Sequence, residues 1–382
     1  MSEIKVNSIK GVGASAAAIT VNNTDGTCTG NITSVGGGPL SNRNLCINGA
    51  DMLVAQRGSS TTGLQNTGGV YTIDRFSYRR SGTWSNAVFK HEQVNSGSGL
   101  FRKALKVTCT TAEGSVPSGT EAVMIGHYLE AQDTIAHFGD GTPEAKSFTV
   151  SFYVKASIAT TYALQMMTAH LTNDKTFSKT FVVNSADTWE RKTLTFPALT
   201  DSIGGALDVT STGVGMMFTW MLDAVTGTNA ADTFFTAGSH KLPSGVSTTG
   251  FSNTLNATFQ LAGVQIEAGT VATDLEHRSF GQELLLCQRY CQVFNPRATG
   301  WIVSATQVRF SVDWVTQMRA NPTCTLGGAF VQYGPGGQQT GTLQGFGDIS
   351  VNGCIPILNT AGGMTTNAPA TGGITMTASA EL

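Results

Sequence analysis

The stretch Ser147-Phe148-Thr149-Val150-Ser151-Phe152-Tyr153-Val154-Lys155-Ala156 decides the fold. Phe148, Val150, Phe152 and Val154 alternate with Thr149, Ser151 and Tyr153. Side chains leave a strand on opposite faces in turn, so this period of two predicts a half-buried β-strand. Similar runs flank it: Lys103 to Cys109, Tyr162 to Thr168, Thr176 to Val183, Arg191 to Phe196, Gly213 to Trp220 and Asn256 to Ile266. A shorter one, Leu45-Cys46-Ile47, stops at Asn48-Gly49. Many short strands with Gly and Asn breaks predict an antiparallel β-sandwich.

One helix interrupts the pattern, from Gly281 to Phe294. Ser279 is placed to cap it, with Gln282 three residues on, the capping-box spacing. Leu284, Cys287, Cys291 and Phe294 then fall on one stripe, widened by Leu285, Leu286 and Tyr290, until Pro296 ends the helix. A second β-rich section follows, with strand candidates at Trp301 to Val303, Val308 to Val312 and Thr323 to Leu326, and turns such as Gly334-Pro335-Gly336-Gly337. From Thr360 onward the chain is small and polar. The first 40 residues are too poor in apolar side chains to build a core alone, and they close on Gly36-Gly37-Gly38-Pro39, a boundary signal. The predicted organisation is an N-terminal docking segment (1–40), a jelly-roll domain (41–281), a helix (282–295) and a C-terminal β section (296–382).

Composition agrees with an all-β chain. Of 382 residues only 13% are charged, 40% are apolar and 45 are glycine. Long solvent-facing helices demand more Glu, Lys and Arg than that. The formal net charge is −2. No basic footprint points to nucleic acid and no polybasic run to anionic lipid. No apolar run is long enough to span a bilayer, and no secretory signal core follows Met1, so the expectation is a soluble chain made in the cytoplasm. The seven cysteines are odd in number and widely spaced, which reads as buried free thiols.

The search for chemistry returns little. The six histidines show no metal-ligand spacing, and there is no nucleophile elbow, phosphate loop or dinucleotide fingerprint. Cys287 and Cys291 with His277 lack a fourth metal ligand, and both thiols lie on the apolar stripe, so packing is preferred. Phe138-Gly139-Asp140-Gly141-Thr142 reads as a tight turn without the acidic ladder of a calcium loop. Glu130 and Asp133 are weighed as a glycosidase pair, with an ordinary surface placement preferred. The expectation is therefore no enzyme, no metal and no cofactor. Sugar binding needs an aromatic platform beside polar groups. The candidates are Trp84, Trp189, Trp220, Trp301, Trp314, Tyr71 and Tyr128. Trp84, in the polar run Arg79-Arg80-Ser81-Gly82-Thr83-Trp84, is the first choice as an exposed platform and Tyr71 the second.

Five segments, in order, carry a resemblance. They are Asn44-Leu45-Cys46-Ile47-Asn48-Gly49 with Gln56-Arg57-Gly58; Tyr71-Thr72-Ile73-Asp74-Arg75-Phe76; the Ser147 to Ala156 stretch with Thr188-Trp189-Glu190; Val264 to Gly269 with Ala272 to Ser279 and Glu283 to Tyr290; and Met318-Arg319-Ala320-Asn321-Pro322-Thr323. Together they resemble bacteriophage virion proteins, notably tail-fibre and appendage proteins with a carbohydrate-binding-module-like jelly roll, over roughly residues 42 to 330. The sequence departs from that pattern at Ala50, an insertion, at Asp274-Leu275 in place of Pro-Phe, and at Cys291 in place of tyrosine. The opening Ser2-Glu3-Ile4-Lys5-Val6-Asn7-Ser8-Ile9 is similar to leaders of phage virion proteins.

The resemblance implies a jelly roll on a virion appendage. Residues 1–40, poor in apolar side chains, are then expected to dock on other virion proteins, and the wide apolar face of the helix with the low charge predicts a homo-oligomer, expected to be a trimer. A jelly roll with exposed aromatics on such a particle has host-surface polysaccharide as its expected ligand, and the charge pattern points to neither a nucleic-acid nor a membrane partner. One alternative, a capsid decoration protein, shares every one of these features; a second, a virion-borne glycan-degrading enzyme, is the weakest because no catalytic constellation stands out. Within the shared segments, Asp74-Arg75 and Glu276-His277-Arg278 are charged clusters beside apolar strands. Asp74, Arg75, Glu276 and Arg278 are read as structural pairs that fasten strand ends, since buried charges need partners.

Overall fold

The computed structural model describes residues 44–169, 175–200, 212–236, 240–294, 297–327, 330–335, 337–373 and 375–382. Before these it describes only the backbone of short strands: β1 (Ser8–Ile9), β2 (Ile19–Val21), β3 (Cys28–Gly30), β4 (Ser34–Val35) and β5 (Gly38–Pro39). The docking role read for 1–40 otherwise lies outside the described residues.

The main body is a β-sandwich. Its strands are β6 (Ser60–Leu64), β7 (Val70–Ile73), β8 (Phe76–Ser81), β9 (Val88–Asn95), β10 (Lys103–Thr111), β11 (Ala122–Glu130), β12 (Phe148–Ala156), β13 (Thr161–Thr168), β14 (Lys175–Val182), β15 (Glu190–Phe196), β16 (Val214–Ala224), β17 (Phe234–Thr236) and β18 (Thr258–Ala268). One sheet runs β15-β12-β18-β10-β9-β6 and the other β17-β14-β13-β16-β11-β8-β7. Neighbouring strands are antiparallel. The chain passes back and forth between the two sheets, the jelly-roll pattern.

Phe148, Val150, Phe152 and Val154 all enter the core between the sheets. Phe148 stacks on Phe196 at 5.2 Å and meets Phe218 edge-on at 5.9 Å, while Phe152 meets Trp220 edge-on at 5.8 Å. Such aromatic pairs add about 0.5–1.5 kcal/mol each beyond the area they bury. The alternation understated the burial. Thr149 and Ser151 on the other face are buried as well, because β12 lies inside its sheet and loops cover that face. Thr149 there donates its hydroxyl to the Gly269 carbonyl at 2.7 Å.

Two helices are present among the described residues, where the sequence predicted one. The first, α1 (Ala131–Phe138), buries Ala131, Thr134, Ile135 and Phe138, one face at helical spacing, and ends at Gly139 with φ 65°. The second, α2 (Phe280–Gln288), carries the predicted capping box between Ser279 and Gln282, yet it stops well before Phe294. Residues after Tyr290 turn extended because Cys291–Phe294 pairs with Met376–Ser379. The predicted apolar stripe is also corrected. Glu283 and Cys287 face inward, whereas Leu285 and Leu286 stand 52% and 37% exposed. The inward carboxylate accepts the Asn48 N–H at 2.7 Å, and that bond orients the helix. Leu45-Cys46-Ile47 is likewise not a strand. The Asn44 side chain accepts from the Cys46 and Ile266 amides and donates to the Val264 carbonyl, which fixes the segment as a loop on the sheet edge.

The C-terminal section comprises β19 (Cys291–Phe294), β20 (Arg297–Ser304), β21 (Gln307–Phe310), β22 (Val312–Asp313), β23 (Thr323–Leu326), β24 (Phe330–Gly334), β25 (Gly337–Gly347), β26 (Gly353–Thr360), β27 (Ala368–Gly373) and β28 (Met376–Ser379). The order β21-β20-β27-β24-β25-β26 closes through pairing of β21 with β26 into a small barrel. Closure leaves those strands no open edges. The small residues that looked uninformative, Ala368, Ala370, Ala378 and Ala380, fill this section's core with Ile302, Val308, Phe310 and Leu358.

Candidate functional site

A cleft of about 390 Å³ opens where three separate segments meet. Asp51 and Leu53 supply one wall, the β9–β10 turn from Ser98 to Arg102 a second, and His277 to Phe280 at the start of α2 the third. Two other clefts, of about 160 and 80 Å³, are less than half that size. Asp51 ties the walls together. Its Oδ1 accepts the Arg102 backbone N–H at 3.1 Å and its Oδ2 accepts His277 Nδ1–H at 2.8 Å. A carboxylate only accepts, so Nδ1 carries the proton and Nε2 is left to serve a ligand. Phe280 and Leu100 form apolar lips, 53% and 57% exposed. Phe101 beneath is anchored edge-on against Trp189 at 4.9 Å. An exposed ring beside convergent polar groups is a setting in which a pyranose face stacks and its hydroxyls find partners.

The residues chosen from sequence lie elsewhere. Trp84 is not an exposed platform. It is 2% exposed, its ring meets Phe89 edge-on at 5.9 Å, and its backbone is clasped by Asn66. The polar run before it belongs to a turn that folds the indole back over the end of the core. Tyr71 donates its hydroxyl to the Leu382 carbonyl at 2.9 Å and has Arg57 over its ring. It is thus engaged with the C-terminal section.

Asp74, Arg75, Glu276 and Arg278 sit in buried polar networks. Arg75 is fully buried, ion-paired to Glu381 at 2.6 Å, donating to the Tyr128 carbonyl at 2.7 Å and stacked 3.4 Å from the Tyr290 ring centre. It has φ 70° in the two-residue turn between β7 and β8, a left-handed conformation that costs a non-glycine residue about 1 kcal/mol. Asp74 lies 3.5 Å from Arg57 and accepts from Gln56. Arg278 reaches Glu283 at 3.3 Å and Glu276 at 3.7 Å and donates to the carbonyls of Asn44 and Cys46.

Glu130 and Asp133 line none of the three clefts, and the surface placement read for them is corrected. Glu130 is fully buried, bound bidentately by Arg289 at 2.8 Å and by the Tyr290 hydroxyl at 2.6 Å. Burial, with Glu130 nearby, pushes the Asp133 carboxyl above its ordinary value. Cys287 and Cys291 are buried, and no metal-holding group of three His, Cys, Asp or Glu occurs among the described residues. The cleft residues Asp51, Arg102 and Phe280 were not singled out in the sequence, and His277 was weighed only as a metal ligand with Cys287 and Cys291 and as part of a charged cluster. The one signal available was Ser96-Gly97-Ser98-Gly99-Leu100, a polar hairpin turn carrying an exposed leucine.

The outer face of the seven-stranded sheet is a weaker candidate. Ser77, Gly126, Thr219, Gln165 and Ser178 align across it in register. Their side chains are buried, and Leu242 with Val246 packs on the neighbouring Met124 and Met221. That row is under cover.

One buried histidine makes a pH prediction. His91 lies opposite Thr61 and Val107, fully buried, with neither ring nitrogen hydrogen-bonded among the described residues. Burial pushes its pKa down from 6.5 to about 3. Between those values the unfolded chain binds a proton there that the folded chain does not. Stability therefore falls as pH drops through this window, by about 1.4 kcal/mol per pH unit for one such group. The His91→Leu variant is expected to show a stability–pH slope between pH 6 and 4 that is shallower by that amount. Equal slopes in urea titrations of the two proteins would refute the assignment.

No known protein-family model matches the chain, and no curated protein matches it. Among solved structures it is similar to the enzymatically active domain of bacteriophage CBA120 tailspike protein 4, at 11% identity and TM-score 0.31. That match covers 59% of this chain and 21% of the tailspike chain. It is similar to a putative sugar-binding protein from Bacteroides thetaiotaomicron, at 8% identity and TM-score 0.30, covering 59% of this chain and 100% of that one. A third similarity is to the family 11 carbohydrate-binding module of a Clostridium thermocellum cellulase, at 12% identity and TM-score 0.28, covering 58% and 99%. This chain thus spans about a fifth of the tailspike's length and nearly all of the other two.

Proposed function

We propose that this chain is a glycan-binding component of a bacteriophage particle and that it grips host-surface polysaccharide in the Asp51–His277–Phe280 cleft. The observation that carries the reading is Phe280, an aromatic ring 53% exposed at the mouth of a cleft whose polar groups are already held in place by Asp51. The ordered resemblance to virion appendage proteins supplies the particle. Binding rather than catalysis is favoured because Glu130, the carboxylate weighed for glycoside hydrolysis, has both oxygens committed inside the protein. One stacked ring binds weakly. A trimer presenting three clefts would raise avidity by about 10² or more.

Phe280→Ala is expected to weaken binding of host polysaccharide about 10-fold, the equivalent of roughly 1.4 kcal/mol. Thermal stability should change little, since half of the ring is already in water. Calorimetric titration of both proteins checks this. Unchanged affinity in the variant, or no binding by the parent, would overturn the reading.

The decoration alternative rests on a different feature, the exposed Leu285 and Leu286 on α2. On that reading Leu285→Asp abolishes incorporation into particles, whereas Phe280→Ala leaves host attachment intact.

A further inference from the structure

The charges around the cleft are not evenly committed. Asp51 is the carboxylate among its lining residues, and both of its oxygens are engaged, one by the Arg102 amide and one by His277. Arg278 also lines the cleft, but its guanidinium is spent on Glu283 and on the carbonyls of Cys46 and Asn44. Arg102 differs. Its backbone is fixed through Asp51 and the Ser96 amide, yet among the described residues no carboxylate or carbonyl meets its guanidinium, and the residue is exposed. The cleft therefore offers one uncommitted, permanently charged fork and no uncommitted carboxylate to oppose it. Beside it stand an exposed ring and His277 Nε2, an acceptor for a hydroxyl.

We infer that the ligand is an acidic saccharide, a hexuronate-containing glycan whose carboxylate pairs with Arg102 while a pyranose face lies on Phe280. This rests on the cleft being the glycan site. The chemistry is complementary at each point. A planar carboxylate matches the guanidinium fork bidentately, and such charge-assisted pairs are roughly twice as strong as neutral hydrogen bonds. A sugar hydroxyl donates to Nε2 of His277, whose orientation Asp51 sets. The apolar ring face covers Phe280. A neutral hexose in the same pose would leave Arg102 partly desolvated without a counter-charge, which is how a site rejects an analogue that lacks the recognised group.

The test is calorimetric titration of the full chain with tetramers of galacturonate, glucuronate and mannuronate, each beside its carboxyl-reduced neutral counterpart. The parent is expected to bind at least one acidic tetramer about 10-fold or more tighter than its reduced form, with the difference shrinking as salt rises from 50 to 500 mM. Arg102→Gln is expected to bring the acidic tetramer down to the level of the reduced one. Phe280→Ala is expected to weaken both forms equally. Equal binding of acidic and reduced tetramers by the parent would overturn the acidic-ligand inference while leaving the cleft as a glycan site. An acidic preference that persists in Arg102→Gln would overturn it too. Binding of no tetramer in either form would overturn both.

Discussion

Arg75→Ala is expected to destabilise the protein by about 3–5 kcal/mol, the usual cost of stranding the partner of a buried ion pair. The Arg75 side chain is wholly buried and that of Glu381 only 8% exposed. Removing the guanidinium leaves that carboxylate with Arg57 alone, 2.8 Å away, and leaves the Tyr128 carbonyl and the Tyr290 ring face without their cation. Alanine would also inherit the φ 70° backbone with none of the contacts that hold arginine in it. Arg75→Lys should rescue little. A single ammonium cannot reach Glu381 and Tyr128 together while lying flat on Tyr290. Urea unfolding midpoints at constant m report the loss. A change below about 1 kcal/mol would mean that this junction between sandwich and C-terminal section is dispensable.

Trp84→Ala is expected to cost about 3–5 kcal/mol, as aromatic truncations in cores do. The indole fills the end of the sandwich against Phe89, which stacks in turn on Phe251 at 6.1 Å. Its Nε1–H is buried and has no hydrogen-bond partner among the described residues. That gives a second arm: Trp84→Phe keeps most of the apolar volume and removes an unsatisfied donor, so it should lose far less than alanine. Thermal melts of the three proteins separate the cases. If alanine melted with the parent, Trp84 would be a surface residue after all.

Strand signals were legible where one face of a strand differed from the other. β12 and β13 were found within a residue or two of their ends by alternation or apolar runs. β11 was missed because all nine of its residues are buried, and a strand covered on both faces shows no period of two. Trp84 was misplaced because polar neighbours in sequence say nothing about which way a turn folds its indole. α2 was read too long for a related reason: Tyr290 and Cys291 belong to the junction rather than to an apolar helix face.

Four of the five segments that resembled virion proteins meet in space. Asn44 bonds to Glu276 and Arg278, Asn48 to Glu283 and the Asp74 carbonyl, and Gln56 to Asp74 and the Cys291 carbonyl, while Arg75 stacks on Tyr290 and shares Glu381 with Arg319. Those residues hold the fold together. The cleft was illegible for the opposite reason. Asp51 lies 51 positions from Arg102 and 226 from His277, the partners it holds, and nothing local marks Asp51 or Arg102, while the cluster around His277 says nothing of a cleft.

The most direct test is a crystal structure of the protein with a hexuronate tetramer that it binds. A sugar ring lying on Phe280, a hydroxyl within hydrogen-bond distance of His277 Nε2, and Arg102 drawn toward the ligand are expected. A sugar bound elsewhere, on the outer face of the seven-stranded sheet or in the C-terminal barrel, with Phe280 and His277 untouched, would contradict this expectation.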